Sequence, residues 1–414
     1  MAREARARPV AANGQAASAR PPRSAPRRRA RKPWQPYIEA TLGFRNHWYL
    51  ACFSHEVVEG EVHAEELLGE KVLLKRVDGV VYAVEDRCLH RGVALSALPE
   101  CYTARSVTCW YHGFTYDVRD GSLIGVITDP ESPLIGKVAI QSYPVEERKG
   151  LVFVFVGDLN PPPPLVEDVP PGLLDEDLAI YPRGCRRVIK SNWRLAMENG
   201  IDPAHAYLHR NAELLTVMQR PLALATFPLS REGLISAPEG GPKGIVKGKG
   251  NRLPVYEAEI DGVRVAARFS PVEGAPRTTS SLSGWLPGSA KVEGFPTPDQ
   301  IVFEWYVPID EVSHTYIQTL GRYVASEREA QQFYHEAADR WMDLVAYKFN
   351  NDDILAREQM QPFYSEEGGG WYEERLTRSD MMLTEWRKLA TKYNRGIQRR
   401  GLRRGSAPPT PDPD

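Results

Sequence analysis

Five cysteines in 414 residues, at Cys52, Cys88, Cys101, Cys109 and Cys185, are too few and too irregular for a disulfide framework, so cysteine here serves a metal or a core. No apolar run approaches the length of a membrane-crossing helix, and no membrane partner is expected. No Gly-X-Gly-X-X-Gly opens a βαβ unit, so a nucleotide cofactor would have to sit on another polypeptide. Acids and bases nearly cancel at a net charge of -2, which removes any bulk drive toward nucleic acid. No internal repeat is visible. What remains is an ordinary globular composition, 42% hydrophobic and 26% charged, with room for two or three domains.

The charge is uneven. From Arg3 to Lys32, nine Arg and one Lys face the single acid Glu4 among Ala, Pro and Ser, a composition expected to be disordered over 1–33. Trp34-Gln35-Pro36-Tyr37 is not the apolar stretch an export signal needs behind its arginines, so the chain reads as cytoplasmic. A β-rich unit is expected over 34–160, with its body at about 45–156. Lys71–Val77 and Val80–Val84 flank Asp78-Gly79, a two-residue hairpin turn, and Asp120-Gly121 is a second turn. Leu151–Val156 is β-branched and aromatic throughout, as a strand buried on both faces should be. Asn160 followed by Pro161–Pro164 forbids helix and ladder alike, which makes 161–182 a linker. Beyond it, 183–398 forms a second domain with apolar strands such as Ile301–Val307. Ser326-Glu327-Arg328-Glu329 predicts a capped helix through roughly Phe349, and a last helix is expected over Ser379–Tyr393. The tail 399–414 again has the composition of disorder.

Two constellations carry chemistry. Cys88-X-His90 and Cys109-X-X-His112, eighteen residues apart, offer one thiolate and one imidazole from each of two loops. A [2Fe-2S] centre of Rieske type uses this inventory, two Cys on one iron and two His on the other. A structural zinc would also accept two Cys and two His, although zinc fingers usually supply them as a Cys pair and then a His pair. Downstream, Asn199-Gly-Ile-Asp202-Pro-Ala-His205-Ala-Tyr-Leu-His209 places two imidazoles four residues apart, on one face if the stretch is helical. Two His plus one carboxylate with open positions is the usual arrangement for oxygen-activating non-haem Fe(II). The carboxylate must come from elsewhere.

Together the motifs resemble the terminal oxygenase component of the Rieske non-haem iron ring-hydroxylating oxygenases, over about Gly43 to Gln398. Many members keep four residues between the two histidines, and this chain has three. That spacing, with Asn192–Ala196, Phe349–Ile354 and Trp386–Ala390, is most similar to the carbazole dioxygenase branch. The resemblance implies an α+β fold: a β-rich Rieske domain, then a catalytic domain with a large antiparallel sheet covered by helices, of helix-grip, START-like form. It implies a Rieske cluster on Cys88, His90, Cys109 and His112, and a mononuclear Fe(II) on His205, His209 and Asp353, with Asp352 as fallback. Either acid could instead serve only a helix start. Asp202 would bridge the two kinds of centre between neighbouring subunits of a homotrimer, with Asn199 beside it in the motif, and Gly200 and Phe349 would line the substrate pocket. NAD(P)H electrons would arrive through a separate reductase and ferredoxin. Both atoms of O2 would enter a carbazole-like aromatic by angular cis-dihydroxylation, giving a hemiaminal that opens by itself. The rivals are a Rieske monooxygenase or demethylase on another heterocycle, and an electron carrier with a ligand-binding module, against which the second metal motif argues. His47, His55, His63, His314 and His335 have no partner at ligand spacing.

Overall fold

The strand-forming runs of the first half fold into three small antiparallel sheets. The computed structural model describes residues 31–218, 234–236, 241–247, 256–267, 281–365 and 369–402. The basic arm and the C-terminal tail therefore lie outside the described residues, apart from their inner ends. Asp78 and Gly79 turn with φ of 51° and 80°, as a two-residue hairpin demands, and pair Glu70–Val77 with Val80–Glu85 in a four-stranded sheet. A three-stranded sheet of Ser106–Thr108, Phe114–Asp117 and Leu123–Val126 packs on it through Leu73, Val84, Val107, Tyr116 and Leu123, and Cys88 and Cys109 belong to the same apolar cluster. The third sheet pairs His47–Phe53 with Leu151–Val156, all six of whose residues are buried.

The reason for that burial lies in the second half, where an antiparallel sheet of eight strands runs from Leu178–Ile180 through His314–Tyr323, Gln300–Pro308, Ser289–Glu293, Ser281–Trp285 and Gly244–Lys247 to Leu234–Ser236, with Cys185–Ile189 also on His314–Tyr323. Alternation sorts its side chains. Ile301, Phe303, Trp305, Val307 and Ile317 pack against Leu151–Val156, whereas Leu282, Val292, Val302, Tyr306, Tyr316 and Leu320 face the helices. Both faces are covered, which is why Ile301–Val307 is apolar at both alternating sets of positions except Glu304. Strand Leu178–Ile180 falls within the stretch expected to be linker, yet it pairs with Tyr323–Gly321.

Helix Trp193–Ile201 lies on the inner face, capped by the Asn192 side chain, which accepts from the Arg194 N–H. A longer helical run follows the sheet. Ser326 accepts from the Glu329 N–H, and the Glu329 carboxylate reaches back to the Ala325 N–H at 2.8 Å. Helix Glu327–Glu336 does not stop at Phe349 as expected. It widens into π-helical turns over Ala337–Trp341 and Asp343–Phe349 and continues as helix Asn350–Ser365. The Val345 carbonyl accepts both the backbone N–H of Asn350, the wide bond of a π turn, and the Asn350 side-chain amide at 2.8 Å, so Asn350–Asp353 stand inside the run rather than at a helix start. The last helix, Met381–Tyr393, begins two residues later than expected. Among the described residues no helix is long and apolar enough to cross a membrane.

Candidate metal centres

Cys88 and Cys109 open two loops of the same construction. In each, a glycine four residues on, Gly92 at φ 77° and Gly113 at φ 72°, returns its N–H to the cysteine carbonyl at 2.9 Å. Only a residue tolerant of positive φ closes so tight a loop, and a Cβ on Gly113 would stand 2.5 Å from Ile127 Cβ. The two thiols are buried, Cys88 beside the Tyr116 hydroxyl at 3.3 Å, while the imidazoles reach the rim. His90 is exposed and its Nδ1 lies 3.2 Å from Nδ1 of His112, so two basic nitrogens face each other where one group could serve both. Burial pushes the Cys109 thiol up, and backbone N–H groups of Tyr111 and His112 offset part of that rise. The donor set fits the expected cluster, with sulfur inside and nitrogen at the surface. Leu89, Trp110, Tyr111 and Ile127 surround the histidines as exposed apolar side chains.

The second constellation does not occupy a single α-helix. Helix Trp193–Ile201 ends at Asp202, because Pro203 cannot continue it, and a 3-10 turn carries Pro203–Tyr207. The Asp202 carboxylate caps that turn by accepting from the Ala204 N–H at 2.8 Å, and its carbonyl receives His205 Nδ1, which fixes the ring with Nε2 free. His205 and His209 converge nonetheless, ring centroids 5.3 Å apart. Asp353 comes up between them. Its Oδ1 lies 3.5 Å from His205 Nε2 and its Oδ2 3.2 Å from His209 Nε2, and one ligand atom from each of the three residues falls within 4.8 Å of the others. His209 is fully buried, yet neither ring nitrogen has a hydrogen-bond partner; the approach to Asp353 is close without the angle of a bond. An imidazole nitrogen left bare at that depth is costly unless a cation takes it, so the residues fit a metal ion. Burial alone would raise the Asp353 carboxyl, but His209, His205 and Arg357 outweigh it and hold it well below the usual carboxylate range. Asp352 is about half exposed and reaches only 4.0 Å from His209 Nδ1, so the geometry favours Asp353 over it.

Asn199 also enters the site. Its amide nitrogen donates to Asp353 Oδ1 at 3.2 Å, and its oxygen accepts from Arg357 Nε. Phe349 stacks on His209 with centroids 3.7 Å apart. Phe349, Gly200, Leu282, Phe295 and Val302 line a cavity of about 30 Å³ that borders His205 and Asp353. Leu282, Phe295 and Val302 escaped sequence reasoning because they sit on or between separate strands, and their apolar character marks only core. Gly200 is obligatory on packing grounds, since a Cβ there would lie 1.9 Å from the Tyr306 hydroxyl, which donates to Glu304. Gly200→Ala is therefore expected to lose about 1–3 kcal/mol of stability in thermal unfolding. An unchanged melting temperature would mean that Tyr306 can swing away. Asp202 and His205 border a larger and more open cavity of about 480 Å³, with Glu198, Tyr207 and Arg210. Burial raises the Asp202 carboxyl above its ordinary value, against the pull of His205.

His63 has spatial partners that its sequence spacing did not disclose, for Cys52, His63 and Glu65 also bring ligand atoms within 4.8 Å. Arg186 occupies that corner. It donates to Glu65 Oε1 at 2.7 Å and to Glu56 Oε1 at 2.9 Å, and His63 Nε2 meets the same Glu65 oxygen. A guanidinium already neutralising the carboxylate repels a second cation, so this is an ion pair joining the two halves of the molecule.

A two-loop Cys2His2 site and a buried pair of histidines closed by one carboxylate, in one chain, define the class of oxygenases that couple a Rieske cluster to a mononuclear non-haem iron. Comparisons with known proteins agree. The family described as Rieske [2Fe-2S] domain matches residues 47–144, and that described as homotrimeric ring hydroxylase matches residues 155–398. The terminal oxygenase component of carbazole 1,9a-dioxygenase from a Sphingomonas is 48% identical over 373 residues, 89% of this chain and 97% of that one. The solved terminal oxygenase of the same enzyme from a Novosphingobium superposes with a TM-score of 0.83 at 49% identity, covering 89% of this chain and 98% of that one. The reduced complex between oxygenase and ferredoxin in carbazole 1,9a-dioxygenase matches with a TM-score of 0.82 at 44% identity, over 89% of this chain and 95% of that one. The chain belongs to the Rieske ring-hydroxylating dioxygenases, in the group of the carbazole 1,9a-dioxygenase terminal oxygenases.

Proposed function

We propose that this chain is the terminal oxygenase of a multicomponent dioxygenase that takes electrons from a ferredoxin and adds both atoms of O2 to a carbazole-like heteroaromatic by angular cis-dihydroxylation. The observation that carries the reading is the buried His205, His209 and Asp353 group bordering a cavity walled by Leu282, Phe295, Val302 and Phe349 on its apolar side. Cys88, His90, Cys109 and His112 would hold the cluster, and His205, His209 and Asp353 the iron. When bound, the cluster supplies single electrons and the mononuclear iron supplies the site of oxygen activation. The chain's own part is positioning. Asn199 orients the carboxylate, Asp202 fixes the His205 ring through its carbonyl, and Gly200, Phe349, Leu282, Phe295 and Val302 exclude water from the reacting ring. A cavity of about 30 Å³ has room for little more than one water molecule, so its wall must rearrange to admit a three-ring substrate.

On this reading 34–160 is the Rieske domain, 161–182 the linker and 183–398 the catalytic domain, with three like chains in the working unit and a reductase, fed by NAD(P)H, behind the ferredoxin. The cytoplasm suits a chain whose cysteines are to stay out of disulfides, as all five do. The test is turnover of carbazole, dibenzofuran, dioxin and naphthalene by the purified chain with reductase, ferredoxin and NADH. Consumption of carbazole with both product oxygens derived from O2 supports the proposal; turnover of none of the panel overturns it.

Arg91 follows a cluster histidine and is exposed, a position where a cation speeds the encounter with an acidic ferredoxin. Arg91→Glu is expected to raise the apparent KM for ferredoxin several-fold and to flatten its salt dependence. Kinetics identical to the parent would remove Arg91 from the docking face.

A further inference from the structure

Arg357 stands one helical turn beyond Asp353 on the same helix, fully buried at 1% exposure, where an unpaired charge would be expensive. Its surroundings account for the charge. The guanidinium lies 5.3 Å from the Tyr306 ring and 5.2 Å from the Tyr316 ring, and both hydroxyls donate to Glu304, which also accepts from Gln318 Nε2 at 2.8 Å. Burial, and then Glu304, raises both phenols well above their ordinary values, so they remain donors and Glu304 accepts from both. A polar carpet on the inner face of the sheet thus holds Arg357 from below, through cation–π contact and a nearby carboxylate. Above it, Nε donates to the Asn199 oxygen.

That bond settles which way the Asn199 amide faces. An amide can be turned over with little change in shape, and its orientation follows from its partners. Arginine only donates, so the oxygen of Asn199 must face it, and the NH2 must then face Asp353 Oδ1. Turned over, Asn199 would set an oxygen against the carboxylate and an NH2 against the guanidinium, two repulsions instead of two bonds.

We propose that Arg357 is a positioning residue of the mononuclear iron site: by clamping the Asn199 amide it keeps the NH2 on Asp353 and so holds that carboxylate between His205 and His209. The inference rests on the ligand set proposed above. Partners behind a metal ligand typically change metal affinity by about 10–100-fold when removed. The cleanest variant is Arg357→Lys, which keeps the charge over the tyrosines but puts a methylene where arginine has Nε.

The experiment measures release of the mononuclear Fe(II) to a chelator from the full chain, with the visible spectrum of the cluster as the check on folding. Arg357→Lys and Asn199→Ala are each expected to speed release about tenfold or more. The double variant should be no more than about twofold faster than Asn199→Ala alone, because one residue acts through the other. Release unchanged in Arg357→Lys, or multiplicative effects in the double variant, would overturn the inference. Asp353→Ala in the same assay keeps the two claims apart: should it retain the iron, the ligand set itself is wrong, whereas loss of iron there with no effect in Arg357→Lys defeats only the positioning role.

Discussion

Asp353→Ala is expected to lose the mononuclear iron and essentially all turnover while the cluster spectrum stays intact, and Asp352→Ala to keep both. The two acids are neighbours in sequence but not in environment. Asp353 is 3% exposed, its two oxygens face the two imidazoles, and Asn199 donates to it; Asp352 is about half in water. Removing a residue that only orients a ligand costs about 10–100-fold, so deleting the carboxylate itself must cost more than that. Cys88, His90, Cys109 and His112 share no residue with the triad, and Cys88 and Cys109 sit in a different apolar cluster from Phe349, which stacks on His209, so their metal content should not follow. Iron analysis together with the visible spectrum reads both outcomes. A folded Asp353→Ala protein with its full iron content would transfer the ligand role elsewhere, and loss of iron in Asp352→Ala alone would transfer it next door.

What was legible in the sequence was what is local. Cys88-X-His90 and Cys109-X-X-His112 hold their four donor side chains within two short loops, and Asp78-Gly79 turns as its residue types dictate, because φ preference needs no distant partner. The pairing of His205 with His209 was also visible, although for an incomplete reason: the predicted single helix is broken by Pro203, and the rings meet because Asp202 rebuilds the turn. Asp353 could not be separated from Asp352 by sequence, since adjacent acids look alike until burial distinguishes them. Arg357 was invisible. It meets Asn199 across 158 residues, and its counter-charge Glu304 lies on a strand whose alternation specifies a face but not what covers that face. The cavity wall was hidden for the same reason, because Leu282, Phe295 and Val302 converge only once the sheet has formed. The end of the helix after Ser326 was misjudged because a run with no Gly or Pro between 327 and 361 carries no stop, and the acids at Asp352 and Asp353 imitate a start.

Mixing chains that lack the cluster (Cys88→Ser) with chains that lack the iron site (His205→Ala), each inactive alone, is expected to restore about one quarter of wild-type activity per chain. Two surfaces of the protein motivate this. His90 stands at a rim of exposed apolar side chains, Leu89, Trp110, Tyr111 and Ile127, while Asp202 and His205 border an open cavity of about 480 Å³ whose rim carries the exposed Tyr207. Among the described residues no hydrogen bond, ion pair or ring contact joins the cluster loops to the segment 199–209. One chain therefore presents the Cys88–His112 loops and the cavity beside Asp202 and His205 as separate open faces, and a second copy can cover one with the other. Head-to-tail contacts of that kind close into rings, and the family of residues 155–398 is described as homotrimeric. In an evenly mixed ring, a given interface has an intact cluster on one side and an intact iron site on the other with a probability of about one in four, which sets the expected recovery. Asp202 would lie at that junction, its carboxylate already raised by burial, and Asp202→Asn should keep all the iron yet lose most turnover. Mixed rings demonstrated by differential tagging but devoid of activity would place the transfer within each chain, and would leave the Asp202 carboxylate with the capping bond to Ala204 as its whole task.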